Sequence, residues 1–195
     1  RGRDAAAAAR AASGQRLRAA MTRMAAQDLV ALARGAAKFD AVLATPFGRL
    51  GIRTEGGLLA GVSFLPDETR LRPPASALAE RTCAQVHKYL HDPSFRFRLP
   101  LKPVGTGFQR RVWDAIAAIP PGRTRSYGDI ARDLNSAPRA VGQACGENRF
   151  PLVIPCHRVV SASGIGGFAH EDRGYLLRIK RWLLAHEGAS ITPRK

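Results

Sequence analysis

The stretch Phe39-DAVLATPFGRLGIRTEGGLLAGVS-Phe64 decides how the fold begins. Within it Ala41–Thr45, Leu50–Thr54 and Leu58–Phe64 are short, partly alternating apolar runs. Pro46, Gly48 and the pair Gly56–Gly57 separate them. Apolar residues on every second position suit a half-buried strand, and the Gly and Pro punctuation suits tight reversals. The spacing predicts a three-stranded antiparallel meander. Downstream, Pro73 and Pro74 close a loop, and Ala77–His91 has helical character with Leu78, Thr82, Val86 and Leu90 on one stripe. Asp92–Pro93 stops it. Residues 39–102 are therefore expected to form a small sheet with a covering helix.

A second unit is expected over residues 103–190. Phe108, Val112, Ile116 and Ile119 recur at helical spacing before Pro120–Pro121–Gly122 breaks the chain. Two shorter helices are predicted at Tyr127–Leu134 and Arg139–Glu147. Asn135–Ser136–Ala137–Pro138 joins them, with Ser136 as the N-cap of the second and Pro138 in its first turn. Val141 and Cys145 would face inward; Arg139, Gly142 and Gln143 would face out, with Gly142 small enough for close approach to a backbone. Two short helices around a tight turn suggest a helix-turn-helix, although many such hairpins bind nothing. The pattern as a whole reads as α+β.

Charge narrows the partners. The 195 residues carry 31 Lys plus Arg against 15 Asp plus Glu, a net charge of +16. The excess is +6 over residues 1–38, +2 over 39–100 and +8 over 101–195. Such a surplus favours a polyanion, nucleic acid or an acidic membrane surface, and places the better DNA-facing surface in the C-terminal half. No run of 18 or more apolar residues occurs, so no transmembrane helix is expected. Cys83, Cys145 and Cys156 form no even disulfide framework, which suits a reducing compartment. Residues 1–38, rich in Ala and Arg, are read as a mobile extension, with Met21 and Met24 as candidate starts; a transit peptide has similar composition.

The reactive segment is Leu152-Val-Ile-Pro-Cys-His-Arg-Val-Val160. A thiol becomes a nucleophile only as thiolate, so it needs a proton acceptor or a positive field. His157 is a candidate acceptor for Cys156. Neighbours in an extended segment point to opposite sides, so the pair needs a turn or a bridging water. A buried structural cysteine fits the spacing equally well. In the last predicted helix, Leu176, Ile179 and Leu183 share a stripe that Glu187 continues, which would give that carboxylate a place at the core edge beside a histidine. The plainer alternative is a frayed end before Gly188.

The hexapeptide Pro155-Cys-His-Arg-Val-Val160 resembles the active-site motif of the O6-alkylguanine-DNA alkyltransferases. Ser126-Tyr127-Gly128 opening a helix, Arg139-Ala-Val-Gly142 opening the next, Asn148, and Trp182-Leu-Leu-Ala-His-Glu-Gly188 follow that family's order. The resemblance covers roughly 105–188, is loose over 39–100 and is absent from 1–38. It implies a ribonuclease H-like N-terminal part and a winged helix-turn-helix-like C-terminal part. It also implies single-turnover transfer of an alkyl group from O6-alkylguanine, and from O4-alkylthymine, in DNA to Cys156.

By the same resemblance His157 takes the thiol proton through a water, Glu187 orients His157, and Asn148 pins the turn before the active-site strand. Tyr127 hydrogen-bonds the departing guanine and crowds the phosphate. Arg139 fills the gap left by the flipped nucleotide, with Ala140 and Gly142 beside it at the DNA. Val159, Pro151 and Ala169 line the base pocket, and the carbonyls of Cys156 and Val159 read the exocyclic amine. The implied partner is double-stranded DNA carrying the lesion; no cofactor, metal or membrane is implied, and the protein is expected to be a monomer in the cytoplasm, at the nucleoid if the source is bacterial. Two departures stand out: the connection from Tyr127 to Arg139 is short, and Gly167-Phe168-Ala169 runs into an apparent insertion, His170-Glu-Asp-Arg-Gly-Tyr175. Ala169 and His170 are then replacements in the loop that would hold O6.

Other chemistries fit less well. Cys83, His87 and His91 lie at i, i+4 and i+8 on one helix, spread over about 12 Å at a rise of about 1.5 Å per residue, too far for one zinc. A cysteine hydrolase would not need Arg139 or a basic helical hairpin. A non-reactive lesion binder would have no use for Cys156.

Overall fold

The computed structural model describes residues 39–169 and 174–189. The expectations for residues 1–38, with Met21 and Met24, and for His170 lie outside that range. Strands β1 (Ala41–Thr45), β2 (Gly48–Glu55) and β3 (Leu58–Leu65) form an antiparallel sheet in the order β1-β2-β3. The meander is as expected, with β2 longer at both ends. At its second reversal Gly56 and Gly57 have φ of +57° and +76°, the left-handed pair that a two-residue hairpin requires. Gly51 meets a different demand: a Cβ there would lie 2.7 Å from the Phe39 ring and 2.8 Å from Leu65 Cδ1. Helix α1 (Ala77–His91) packs on this sheet, capped by the Ser76 side chain.

The buried stripe of α1 is Ala79, Thr82, Val86 and Tyr89. This corrects the expected stripe: Leu78 and Leu90 fall at its edges and are only half-buried. The whole helix is rotated by a fraction of a turn, because Tyr89 and Ala79 fill the space against the sheet and the C-terminal helices.

Helix α2 (Gly107–Ala117) opens with a reciprocal capping box between Thr106 and Gln109 and buries Val112, Trp113 and Ile116. Ile119 is buried as well, but lies past the helix end. Ser126 and Asp129 form a second capping box that starts α3 (Tyr127–Asp133). Helix α4 (Pro138–Gly146) follows, with Val141, Ala144 and Cys145 inward. Trp113 Nε1 donates to Ala144 O at 2.8 Å, which locks α2 to α4.

Ser136 does not cap α4; Ala137 stands at that position without a side-chain hydrogen bond. Ser136 closes α3 instead. Its amide donates to Ala131 O (2.8 Å) and the Asn135 amide donates to Arg132 O (3.2 Å), around an Asn135 with φ of +48°. That is the two-bond, left-handed ending in which Asn substitutes for Gly. The expected N-cap was pre-empted by the stop signal of the preceding helix.

Two short strands, β4 (Arg125–Ser126) and β5 (Val159–Val160), pair in parallel, and α5 (Tyr175–His186) ends the described chain. One continuous apolar cluster runs from Ala41, Leu50 and Leu59 through Val86 and Ile116 to Val159 and Leu183. The architecture is mixed α/β, a small antiparallel sheet with helices. Among the described residues no helix is long and apolar enough to cross a membrane.

Candidate active site

The site is built on the segment between α4 and β5. Asn148 holds it: its Oδ1 accepts from the Phe150 amide (2.9 Å) and its Nδ2 donates to Ile154 O (2.9 Å). Ile154 in turn donates its amide to Phe150 O at 2.8 Å. Between these anchors Leu152 is forced to φ of +76° with its side chain buried. A leucine in that region costs about 1–2 kcal/mol, so the turn exists because its flanks are tied on both sides.

Pro155 then leads into a 3-10 turn, Cys156–Arg158, and the Val159 amide donates to Cys156 O. The turn answers the geometric objection raised by adjacency: Cys156 and His157 are not in extended backbone. Cys156 keeps 5% exposure and its Sγ accepts from Asn148 Nδ2 at 3.2 Å. Burial pushes the thiol up from its ordinary range, while Asn148, the Lys180 charge and the amides of Cys156 and His157 pull the other way. Desolvation wins, so the resting group is a neutral thiol.

His157 is fully buried, and its Nε2 lies 2.9 Å from Glu187 Oε1. Glu187 is not at a frayed end. The Ala189 amide donates to Leu184 O and the Gly188 amide to Ala185 O, around a Gly188 with φ of +65°, so the helix ending fixes the carboxylate in place. Arg158 grips it from Nε to Oε2 (2.9 Å) and from NH2 to Oε1 (2.8 Å), and Tyr89 donates to Oε1 at 2.8 Å. Burial would raise the Glu187 carboxyl, but the hydrogen bonds and charge of His157 and Arg158 outweigh it and bring the group down to about 2.

The anionic carboxylate can only accept, so His157 Nε2 carries the hydrogen and Nδ1 carries the lone pair. That Nδ1 has no hydrogen-bond partner among the described residues. Burial holds the imidazole below its usual range against the pull of Glu187, so it rests neutral. The site therefore holds a neutral thiol and a neutral imidazole whose tautomer is fixed by Glu187.

Tyr127 opens α3, its hydroxyl donating to Gly167 O at 3.1 Å. Burial, reinforced by the neighbouring thiols, pushes its hydroxyl up and keeps it a donor. Arg139 is exposed near the start of α4, with Ala140 half-buried beside it. A Cβ on Gly142 would meet only the Tyr127 ring, at 4.0 Å, which is ordinary contact. Val159 is buried and its carbonyl already accepts from Lys180 Nζ at 2.6 Å, which leaves one lone pair for another donor. Pro151 is half-buried, and Ala169 is exposed with φ of +48°.

Sequence reading missed three residues here. Arg158 stands next to His157 but offered no sign that it turns inward. Tyr89 is recognisable only once the stripe of α1 is placed correctly. Lys180 could have been found, since it lies four residues after Leu176 and three before Leu183, on the apolar stripe of α5. The residues Cys83, His87 and His91 stay apart in role: Cys83 is half-buried, His87 and His91 are exposed, and His91 Nδ1 lies against His87 O at 3.0 Å.

Fold and site together are those of a cysteine-dependent alkyl-group transferase. The family profile described as "6-O-methylguanine DNA methyltransferase, DNA binding domain" matches residues 107–189. A methylated-DNA–protein-cysteine methyltransferase of Methanosarcina acetivorans is 33% identical over 159 residues, 77% of this chain and 99% of its own length. One from Archaeoglobus fulgidus is 41% identical over 96 residues, 49% of this chain and 65% of its own. The crystal structure of Mycobacterium tuberculosis OGT in complex with DNA superposes with a TM-score of 0.62 at 34% identity, covering 75% of this chain and 90% of that one. The chain belongs to the methylated-DNA–protein-cysteine methyltransferase family.

Proposed function

We propose that this chain repairs DNA by taking the alkyl group of O6-alkylguanine onto Cys156, once per molecule. The observation that supports it most is the lone pair of His157 Nδ1, on the residue that follows Cys156, left without a hydrogen-bond partner among the described residues while Glu187 holds Nε2. A bridging water passes the thiol proton to Nδ1. Sγ then attacks the alkyl carbon in line; the S–C bond forms, the C–O6 bond breaks, and its electron pair stays on guanine. Tyr127 exchanges Gly167 O for the base and gives guanine a proton, which makes it a better leaving group. The proton held on His157 then returns through solvent to the Tyr127 phenolate, so that in sum the thiol hydrogen and the alkyl group change places. The thioether has no easy leaving path, so turnover ends there.

The lesion oxygen lies within the base stack, and rotating a nucleotide out costs a few kcal/mol. We read α3 and α4 as a helix-turn-helix pair of winged type that enters the minor groove with Arg139 as the inserted side chain. Gly142 supports this reading, because internal packing does not demand a glycine there. O4-alkylthymine fits the same chemistry, and the protein acts as a monomer without metal or cofactor, in the cytoplasm and, in a bacterial source, at the nucleoid. We read the sheet with α1 as ribonuclease H-like and as a domain apart from residues 103–190.

The test is to incubate the protein with a duplex oligonucleotide carrying O6-methylguanine and to map its mass by peptide. A gain of one methyl on the Cys156 peptide is the expected result. Tight binding without a mass change would mean a lesion-binding protein instead.

A further inference from the structure

Lys180 is a lysine with no exposed surface, set in α5 between Ile179 and the buried pair Leu183–Leu184. Burying an ammonium costs several kcal/mol unless something answers its charge. Its Nζ donates to Val159 O at 2.6 Å and to Gly167 O at 2.8 Å. The first carbonyl lies directly after the turn that carries the thiol. The second ends the loop that follows it, and also accepts from the Tyr127 hydroxyl. Nζ further stands 5.8 Å from the centre of the Tyr127 ring and 5.9 Å from that of Phe168.

Two neutral carbonyls and two ring faces orient a cation but do not neutralise it. The groups whose ionisation would complete the pair are the thiols of Cys156 and, from α4, Cys145, both of which interact electrostatically with the ammonium. His157 feels the same charge with the opposite consequence. Among the described residues Tyr127 also faces Nζ, through its ring.

We propose that Lys180 is a positioning residue for the transfer reaction: its ammonium ties the loop ending at Gly167 to β5 and supplies the positive field that favours the Cys156 thiolate. The inference rests on Cys156 being the acceptor and extends that reading. It accounts for how a buried thiol, backed only by a weakly basic imidazole, reaches its anion. Formation of the thiolate gives the ammonium an anionic partner at low dielectric, where opposite charges attract strongly. The ammonium itself is brought down to about 8 by burial, so it is still charged at neutral pH.

The experiment compares the full chain with Lys180→Gln, which keeps a hydrogen-bond donor without charge, and Lys180→Arg, which keeps charge. Alkylation of the Cys156 peptide by iodoacetamide is followed by mass across pH, so that Cys83 and Cys145 are resolved separately. Benzyl transfer from free O6-benzylguanine is measured in parallel. For the Gln variant the midpoint of Cys156 alkylation is expected to rise by roughly one pH unit, about tenfold less thiolate at neutral pH, and benzyl transfer to slow by about the same factor. The Arg variant should stay within about threefold of the parent.

An unchanged midpoint in the Gln variant overturns the proposal, including the case where both variants slow equally, since a loop clamp alone would do that. If the Gln variant does not fold, the parent chain decides: the Lys180 Nζ titration, read by NMR of the neighbouring carbon, must fall once Cys156 is S-methylated, and an unmoved titration overturns the proposal. A parent chain that takes no benzyl group would refute the proposed function, while the iodoacetamide profile would still decide the coupling.

Discussion

The Tyr89 hydroxyl donates to Glu187 Oε1 at 2.8 Å, joining residues 98 positions apart in sequence. His186 completes the connection by donating from Nε2 to the Tyr89 carbonyl at 2.9 Å. Helix α1, which packs on the sheet, thus reaches the carboxylate that orients His157. Tyr89→Phe keeps the ring and deletes one donor to a buried charge. It should lower stability by about 1–2 kcal/mol in urea titration and slow alkyl transfer only slightly, because Arg158 and His157 still hold Glu187. Loss of most of the activity in a folded Tyr89→Phe protein would mean that Tyr89 takes a direct part in the chemistry.

Acid should unfold this protein in two stages with a predictable sign. His157 rests neutral because burial depresses it below 6.5, so the unfolded chain binds the extra proton first and stability falls as pH drops through that value. Glu187 is depressed from 4.5 to about 2, so its contribution is complete above 4.5 and is lost on going from there toward 2. Chemical denaturation at stepped pH should show stability declining in both windows. Glu187→Gln should be less stable at pH 7 and should lack the lower window; an unaltered lower window would put the acid sensitivity elsewhere.

The strands and α1 were legible because their signals are local: paired glycines, alternation and an Asp–Pro stop. The Cys156, His157, Glu187 and Asn148 set was legible through its motif, and the stripe of α5 placed Glu187 correctly at the core edge. What escaped was set by packing between distant segments. No spacing rule tells that Arg158 turns inward to make two bonds with Glu187, or that the sheet-covering helix donates Tyr89. Ser136 was misread for a local reason: one residue matched both an N-cap and the close of the preceding helix, and the left-handed Asn135 decided between them.

Asn148 combines two duties that a single variant exposes. Its side chain ties both flanks of the Leu152 turn and donates to Cys156 Sγ. Asn148→Ala should destabilise the protein by about 1–3 kcal/mol, since buried groups lose their partners around a strained residue. It should also raise the pH at which Cys156 becomes reactive, as the donor that favours the thiolate is gone. A variant that melts like the parent would show that the turn holds without its anchor.

Arg139 lies outside the protein core, so its removal should leave folding untouched. Arg139→Ala is expected to slow repair of O6-methylguanine in duplex DNA far more than transfer from free O6-benzylguanine. The measurement is single-turnover kinetics on both substrates. Equal slowing on the two would deny Arg139 any part in flipping the nucleotide.

Gly142 separates the protein's own needs from those of the complex. It sits in the middle of α4, where a glycine costs roughly 0.5–1 kcal/mol relative to alanine, and an added Cβ would find only the Tyr127 ring at 4.0 Å. Gly142→Ala should therefore melt at the same temperature as the parent or a little higher. Yet if α4 lies against a DNA backbone at this point, the methyl group and, more strongly, the side chain of Gly142→Leu should weaken binding to duplex oligonucleotides in order of size. Transfer from free O6-benzylguanine should hardly change. Stability and free-base reactivity that hold while duplex affinity falls would fix the contact surface; affinity indifferent to both substitutions would move the DNA to another face of the molecule.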